Sequence, residues 1–200
     1  KEKFTLIEWE EKKSWIKKQI NSMDCDIIGF QEVFSKDALK ELTKELGFKY
    51  FKTADKAKTN KNDELIYTTT TVAIASKFPI KCLKKVQTDF STLKKHNLEG
   101  FFKFSREPIK ASIILPNEKE LDIYVCHLKS NRENEFEYVF TKDIKLNEKL
   151  EKVQKALKDG YSLSLKQRLC EASSIYSNIK LNKKASVLLA DLNDKEFSIT

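Results

Sequence analysis

Three groups of polar side chains each follow directly after an apolar stretch of this sequence. They are Gln31-Glu32 after residues 25–30, His127-Leu128-Lys129-Ser130 after residues 121–126, and Asp191-Leu192-Asn193-Asp194 after residues 185–190. Short apolar runs predict buried β-strands, and the ends of neighbouring strands lie within side-chain reach of one another. Because α/β proteins tend to place their chemistry at strand ends, the sequence predicts one shared site.

The side chains in these groups suit the hydrolysis of a phosphoester. The carboxylate of Glu32 is a ligand that Mg²⁺ accepts, beside waters and substrate phosphate. The carboxylate of Asp191 can orient or deprotonate an attacking water, and the imidazole of His127 can donate to the leaving group. The neutral amide of Asn193 can hydrogen-bond a phosphate oxygen without adding repulsive charge. Taken singly, each has an ordinary structural explanation, such as a solvated glutamate or an aspartate that caps a turn.

The balance of charge favours a polyanionic partner. The chain carries 38 lysines and arginines against 30 aspartates and glutamates, a formal net charge of +8. Such an excess attracts nucleic acid, although lysine spread over a surface also serves solubility. No run approaches the roughly 18 apolar residues of a membrane helix. The sequence therefore favours a nucleic-acid partner and predicts no membrane span.

The cysteines bear on the cellular compartment. Cys25, Cys82, Cys126 and Cys170 lie far apart and form neither a CxxC pair nor a Cys/His zinc spacing. Free thiols are therefore expected rather than disulfides or metal ligands, which favours a reducing compartment such as the cytoplasm. The sequence starts without Met and without a signal-peptide pattern, so localisation, including secretion, stays open.

The pattern of apolar residues predicts a mixed α/β chain. Helical spacing predicts helices at residues 8–23, 36–46, about 143–158 and 163–179. Apolar and β-branched runs predict strands at residues 25–30, 68–75, 111–115, 121–126 and 185–190. The first helix is expected to bury a face with Trp9, Ile16, Ile20 and Met23. The polar stretch 52–63 is expected to be a loop, and residues 131–162 a charged excursion from a single domain over 1–200.

Six segments resemble, in order, the motifs of the endonuclease/exonuclease/phosphatase superfamily, which includes pancreatic-type deoxyribonuclease, abasic-site endonucleases and bacterial sphingomyelinases. They are DIIGFQEV (26–33), TVAIASKFPI (71–80), REPIKASI (106–113), YVCHLKSN (124–131), KQRLCEASSIY (166–176) and VLLADLND (187–194). The resemblance covers almost the whole chain. It implies a four-layered α/β/β/α sandwich of two mixed sheets, similar to deoxyribonuclease I and incomplete in this chain.

The resemblance also implies a role for each matching residue. Glu32 would bind a catalytic Mg²⁺ or Mn²⁺ with support from Gln31. His127 would contact the scissile phosphate, as histidine does in the nuclease and sphingomyelinase branches. Asp191 would position the attacking water, and Asn193 would hold a phosphate oxygen.

Three basic residues complete the implied site. Lys129 would either reach a neighbouring phosphate or stay solvated, while Arg106 and Arg168 would anchor the structure around the catalytic groups. The implied activity is that of a Mg²⁺-dependent phosphodiesterase, an endonuclease or exonuclease acting on DNA or RNA. The alternative within the same superfamily is a phosphatase or a sphingomyelinase-like phospholipase.

The sequence departs from the family pattern in several places. Thr71 stands where the family has glycine, and Ala190-Asp191-Leu192 stands where it has Gly-Asp-Phe. A strand with a metal-site asparagine is missing at the start of the chain, and a Ser-Asp-His segment is missing at its end. His96 lies in a lysine-rich loop and cannot replace that histidine. The expectation is a fragment of a longer enzyme, whereas a protein that truly ended at Thr200 would favour a phosphate-binding module without catalysis.

Overall fold

The computed structural model describes residues 5–130, 145–159 and 163–194. Its helices are α1 (Leu6–Met23), α2 (Lys36–Glu45), α3 (Phe90–Lys95), α4 (Leu146–Asp159) and α5 (Leu163–Leu181). Its strands are β1 (Ile27–Val33), β2 (Tyr50–Thr53), β3 (Thr59–Asn60), β4 (Asp63–Tyr67), β5 (Thr71–Ser76), β6 (Ile80–Lys85), β7 (Ile109–Ile114), β8 (Glu120–His127) and β9 (Ser186–Asp191). This mixture of helices and strands confirms the predicted α/β class.

The chain divides into two compact units, and each is described by itself. The first consists of the described residues within 1–85, 107–126 and 183–190, and the second of the described residues within 86–106, 127–182 and 191–200. The single domain predicted over residues 1–200 stays a prediction.

The strands form two larger sheets and one short hairpin. In the first sheet β5 lies between β1 and β2 and pairs antiparallel with both. The second sheet has the order β6-β7-β8-β9, with antiparallel pairing from β6 to β8. Hydrogen bonds from Asp122 N to Ala185 O and from Leu128 N to Asp191 O advance in the same direction along both strands, so β8 and β9 are parallel. Strands β3 and β4 form the hairpin.

The core of the first unit lies between its two sheets. The clustered side chains come from β5, β7 and β8 and are Val72, Ile74, Ile109, Ala111, Ile113, Ile123 and Val125. All of them are at most 2% exposed. Every residue of β5 is buried, which is why this strand is a continuous run of small and apolar residues rather than an alternating one.

Helices α1 and α2 cover the outer face of the first sheet. Ile20 of α1 and Leu42 of α2 are buried against Phe48 and Ala75. Ala75 follows Ile74 in β5 and, by the alternation of a strand, faces the opposite side of the sheet. The α1 helix begins at a capping box in which Thr5 and Glu8 exchange hydrogen bonds. The first unit therefore has three layers in the order helices, first sheet and second sheet.

Gly29 of β1 lies close to the facing sheet of the first unit. A Cβ at this position would lie 3.0 Å from Leu189 Cβ and 3.2 Å from Val125 Cγ1. Both neighbours belong to the facing sheet and are fixed near their own backbones. The absence of a side chain at Gly29 therefore permits this packing distance.

The substitution Gly29→Ala is expected to lower the free energy of unfolding by about 1–3 kcal/mol, because overpacking outweighs the smaller gain from a stiffer unfolded chain. Urea denaturation would measure it. Gly100→Ala is the matched control, since a Cβ there meets nothing within 4 Å. The double variant Gly29→Ala/Leu189→Gly removes the Leu189 Cβ that the new methyl group would meet, so it should be less destabilised than the sum of its single changes; additivity would contradict the packing argument.

Helices α3 and α5 of the second unit are joined through Asp89, which caps α3. Its carboxylate accepts hydrogen bonds from hydroxyls on both helices, those of Ser173, Ser91, Thr92 and Ser177. These bonds hold the pKa of Asp89 well below its usual value, because each stabilises the charged form. Nearby, Leu93, Leu98 and Cys170 form a small apolar cluster. Burial raises the pKa of the Cys170 thiol to about 11, so this thiol stays protonated at neutral pH.

The predicted helices are confirmed, and several other assignments are wrong. The stretch 52–63 is not one loop, because it holds the end of β2, all of β3 and the start of β4. Lys52 and Thr53 end β2 and Thr59 begins β3, and such short strands tolerate polar residues. Strand β6 and helix α3 were not predicted at all. Of the excursion predicted at 131–162, residues 131–144 and 160–162 lie outside the described residues.

Two burial predictions are also wrong. Met23, expected on the buried face of α1, is 54% exposed because α1 ends there. Strand β9 was expected to be buried, yet Val187 and Leu188 are about 40% exposed, at 42% and 39%. The reason is its position as the last strand in the order β6-β7-β8-β9. The predicted free thiols are confirmed at all four cysteines, two of which are buried. Among the described residues, no helix is long and apolar enough to cross a membrane.

Candidate active site

Two of the three predicted polar groups meet in the second unit. His127 is the last residue of β8, and Asp191 is the last residue of β9. The backbone N–H of Leu128 donates to the Asp191 carbonyl oxygen at 3.0 Å. Because the two strands are parallel and neighbours in the sheet, their carboxyl ends lie side by side. The two residues therefore lie at neighbouring strand ends, while their membership of a functional site stays a prediction.

The side chains of His127 and Asp191 lie close together. His127 Nε2 is 3.6 Å from Asp191 Oδ2, while the imidazole is 3% exposed and the carboxylate 50% exposed. The arrangement is an almost fully buried imidazole beside a carboxylate that reaches solvent.

Asn193 is locked beside the other two residues by hydrogen bonds. Its backbone N–H donates to Asp191 Oδ1 at 2.9 Å, and its side-chain Nδ2 donates to the Leu128 carbonyl at 2.9 Å. Strand β9 ends at Asp191, and Asn193 has a φ of +51°, so the two residues do not lie on one side of an extended strand. A turn, rather than strand alternation, brings the two side chains together.

The predicted basic residues of the second unit contact the same region. Arg106 Nη1 donates to the Leu128 carbonyl at 3.2 Å, and the Lys129 backbone N–H donates to Glu171 Oε2 at 2.6 Å. Arg168 on α5 is buried, and its Nε lies 3.0 Å from Asp194 Oδ2. Arg106 and Arg168 are thus engaged with the segments that carry His127 and Asp191.

Gln31 and Glu32 lie in the first unit, inside β1 rather than after it. The predicted strand end at residue 30 is wrong, because β1 continues to Val33. The register against β5 shifts between Phe30 and Val33, so Gln31 and Glu32 form a β-bulge. Glu32 is exposed, and the described part of its unit provides no hydrogen bond or salt bridge to its carboxylate.

Positive φ angles single out two of the predicted site residues. Among the described residues the non-glycine positions with positive φ are Asp24, Glu32, Asn97, Glu118 and Asn193. Asp24 is a helix C-cap, Asn97 directly follows the C-cap of α3, and Glu118 lies in the turn between β7 and β8. Glu32 lies in the β-bulge of β1 at a φ of +54°, a conformation that costs about 1–2 kcal/mol for an L-residue other than glycine. Strain held at a chosen side chain is a feature of functional sites.

The described residues hold no group of three or more His, Cys, Asp or Glu side chains placed to bind a metal ion. A site of that kind suits transition metals. Mg²⁺ instead retains several waters and takes one or two protein carboxylates together with substrate phosphate. The exposed carboxylate of Glu32 on its strained bulge fits that requirement.

Asp194 was predicted as part of a polar group without a role of its own, and no role was predicted for Glu171. Asp194 pairs with Arg168, and Glu171 binds two backbone N–H groups. Arg168 could have indicated the role of Asp194, because a buried arginine on an amphipathic helix needs a carboxylate partner. No comparable signal marked Glu171, because its partners are backbone groups of distant segments.

Comparison with solved structures identifies the fold. The chain superimposes on the human Nocturnin catalytic domain, solved with a bound sulfate anion, with a TM-score of 0.59 and 15% sequence identity, over 96% of this chain and 59% of that one. It superimposes on humanized D. rerio TDP2 carrying 14 mutations with a TM-score of 0.57 and 11% identity, again over 96% and 59% of the two chains. D. rerio TDP2 complexed with a single-strand DNA product gives 0.53 at 11% identity, over 94% and 55%.

These likenesses confirm the predicted deoxyribonuclease-I-like α/β fold, and at such low identity they establish the fold alone. The chain spans 59% of the length of the first two structures. No protein-family model matches the sequence. No curated protein matches it either.

Proposed function

We propose that this chain, which has the fold of the endonuclease/exonuclease/phosphatase superfamily, belongs to a Mg²⁺- or Mn²⁺-dependent phosphodiester hydrolase that acts on nucleic acid. The observation that carries the proposal is the cluster of His127, Asp191 and Asn193 at the carboxyl ends of two parallel strands. An imidazole, a carboxylate and an amide at one point can provide the acid, the base and the phosphate-oxygen donor for phosphoester hydrolysis.

Each residue of the cluster has a definite task in this proposal. Asp191 orients the attacking water and accepts its proton, since its carboxylate reaches solvent. His127 donates to the scissile phosphate or to the leaving oxygen from its buried position. Asn193 binds a phosphate oxygen: an amide carries two N–H donors, so one can hold the Leu128 carbonyl while the other serves the substrate.

Glu32 would hold the divalent cation. Its carboxylate is exposed and is presented by a bulge at positive φ, and Gln31 beside it supports the same bulge. When bound, the cation supplies charge stabilisation to the phosphate. The task of this chain is to fix one carboxylate oxygen as a ligand and to leave the remaining positions for water and substrate.

The basic residues complete the proposal. Arg106 and Arg168 hold the segments after β8 and β9 in place through the Leu128 carbonyl and Asp194. Lys129 follows two residues after His127 and would contact a neighbouring phosphate. A formal net charge of +8 attracts a polyanion, and D. rerio TDP2, which shares the fold, has been observed with a single-strand DNA product.

We expect Mg²⁺-dependent cleavage of a labelled single-stranded oligonucleotide that stops in EDTA and returns with excess Mg²⁺. Glu32→Gln should raise the Mg²⁺ concentration for half-maximal rate by at least about tenfold, because a ligand is lost. Rates at increasing Mg²⁺ concentration would measure this shift. Glu41→Gln, which changes an exposed glutamate on α2, is the matched control and should behave as wild type.

Two results would contradict the proposal. One is cleavage that persists in EDTA, and the other is an unchanged Mg²⁺ requirement in Glu32→Gln. Substrate class is tested in parallel by the salt dependence of binding, which is steep for a polyanion and shallow for a small phosphoester. Preferential hydrolysis of a small phosphomonoester would favour the phosphatase alternative.

A further inference from the structure

Glu171 of α5 is a buried carboxylate with backbone partners. Its side chain is 1% exposed. Oε1 accepts from the Ser105 N–H at 2.7 Å and from Gln167 Nε2 at 3.1 Å, and Oε2 accepts from the Lys129 N–H at 2.6 Å. A buried carboxylate is unfavourable unless hydrogen bonds satisfy it. Here the carboxylate accepts hydrogen bonds from the backbone of two segments that are far apart in sequence.

Both segments adjoin predicted site residues. Ser105 precedes Arg106, and Lys129 lies two residues after His127. The peptide group that joins Leu128 to Lys129 is held on both of its polar atoms. Its carbonyl oxygen accepts from Arg106 Nη1 at 3.2 Å and from Asn193 Nδ2 at 2.9 Å, and its N–H donates to Glu171 at 2.6 Å. The plane of this peptide is therefore fixed directly after the imidazole-bearing residue.

The contacts require a carboxylate rather than an amide. Glu171 faces a backbone N–H with each of its two oxygens, and a glutamine has only one oxygen acceptor. In Glu171→Gln the side-chain NH₂ would face either the Ser105 N–H or the Lys129 N–H, donor against donor. The substitution keeps the volume of the side chain and removes one of the two attachments.

We propose that Glu171 is a positioning residue for the catalytic cluster. It fixes the backbone that follows His127 and, through the Leu128 carbonyl, the side chain of Asn193. Its kinetic consequence rests on the proposed function, whereas its structural consequence does not.

The kinetic test compares two changes on the same helix. Glu171→Gln should lower kcat for oligonucleotide cleavage by about 10- to 100-fold with KM changed little, because the reacting groups are displaced by a fraction of an ångström. Ser174→Ala is the matched control: Ser174 is also buried on α5, but it binds the Asp89 N–H and the Cys170 carbonyl. It should lose stability and keep its kcat within about twofold.

The structural test does not need activity. The chain has two histidines, so a spectrum of the imidazole nitrogens contains two sets of signals, and His96→Gln assigns them. Glu171→Gln should shift the His127 set but not the His96 set. Amide exchange at Ser105 or at Lys129, whichever faces the new NH₂, should become about tenfold faster or more, since a hydrogen bond to a charged acceptor is lost. Ser174→Ala should leave both the His127 set and the Lys129 amide unchanged.

The possible outcomes distinguish the positioning role of Glu171 from the proposed function. Unmoved His127 signals and an unchanged kcat in Glu171→Gln would overturn the positioning role, as would equal effects in Ser174→Ala. A chain that cleaves nothing under any condition would overturn the proposed function, while the spectra still decide the role of Glu171. If Glu171→Gln does not fold, Gln167→Ala removes one supporting donor and should shift the same signals by a smaller amount. No shift there would count against the positioning role.

Discussion

Replacement of His127 by glutamine is expected to lower kcat for phosphodiester cleavage by about 10²- to 10⁴-fold, the usual contribution of a positioned acid or base. The imidazole is 3% exposed and lies 3.6 Å from Asp191. Glutamine offers a hydrogen-bond donor of similar reach but cannot carry the proton that the leaving oxygen needs. We therefore expect the loss in kcat rather than in KM.

The second histidine of the chain provides the control for this change. His96 is the C-cap residue of α3, and burial together with the charges of Lys95 and Lys166 lowers its pKa. His96→Gln should leave kcat within about twofold of wild type, because this imidazole belongs to a helix end rather than to the strand-end cluster. Steady-state rates of both variants and the wild type on one oligonucleotide would measure the difference in kcat. A His127→Gln variant with nearly wild-type kcat would contradict a catalytic role for His127.

The sequence allowed part of the site to be predicted because the relevant strands are strongly apolar. The runs at 121–126 and 185–190 identify β8 and β9, and each ends at a residue of the cluster. Their parallel pairing then follows ordinary α/β topology, so His127 and Asp191 were expected at neighbouring positions. The resemblance to the superfamily then suggested a role for each side chain, which the residue types alone do not determine.

Other parts of the site depend on contacts that local sequence does not encode. The bulge at Glu32 arises from a register shift against β5, and nothing in a glutamate indicates a positive φ. Glu171 binds backbone groups of two distant segments, which have no side-chain pattern to reveal them. The hairpin of β3 and β4 was not predicted because its asparagines, lysine and aspartate are typical of loops. That Glu32 shares one site with His127 stays a prediction.

Asp191→Asn is expected to reduce kcat about 10²- to 10⁴-fold while the fold is retained. Asparagine keeps an oxygen that can accept from the Asn193 N–H, the contact now made at 2.9 Å. The backbone carbonyl of residue 191 still receives the Leu128 N–H. The substitution removes the negative charge and the ability to take a proton from water. It therefore measures the catalytic role of Asp191 with its structural contacts retained.

Two comparisons make the result for Asp191→Asn decisive. Asp26→Asn, which removes one exposed ion pair with Lys77, should change neither rate nor stability appreciably. Asp191→Ala removes the turn contact as well, so it should lose kcat to the same degree and also unfold at lower urea concentration.

If His127 and Asp191 act on the same transition state, the double variant His127→Gln/Asp191→Asn should be little slower than the worse single variant, because the effects of groups that act as a unit are not additive. Full additivity, or an Asp191→Asn variant with wild-type kcat, would show that the cluster does not work as one catalytic unit.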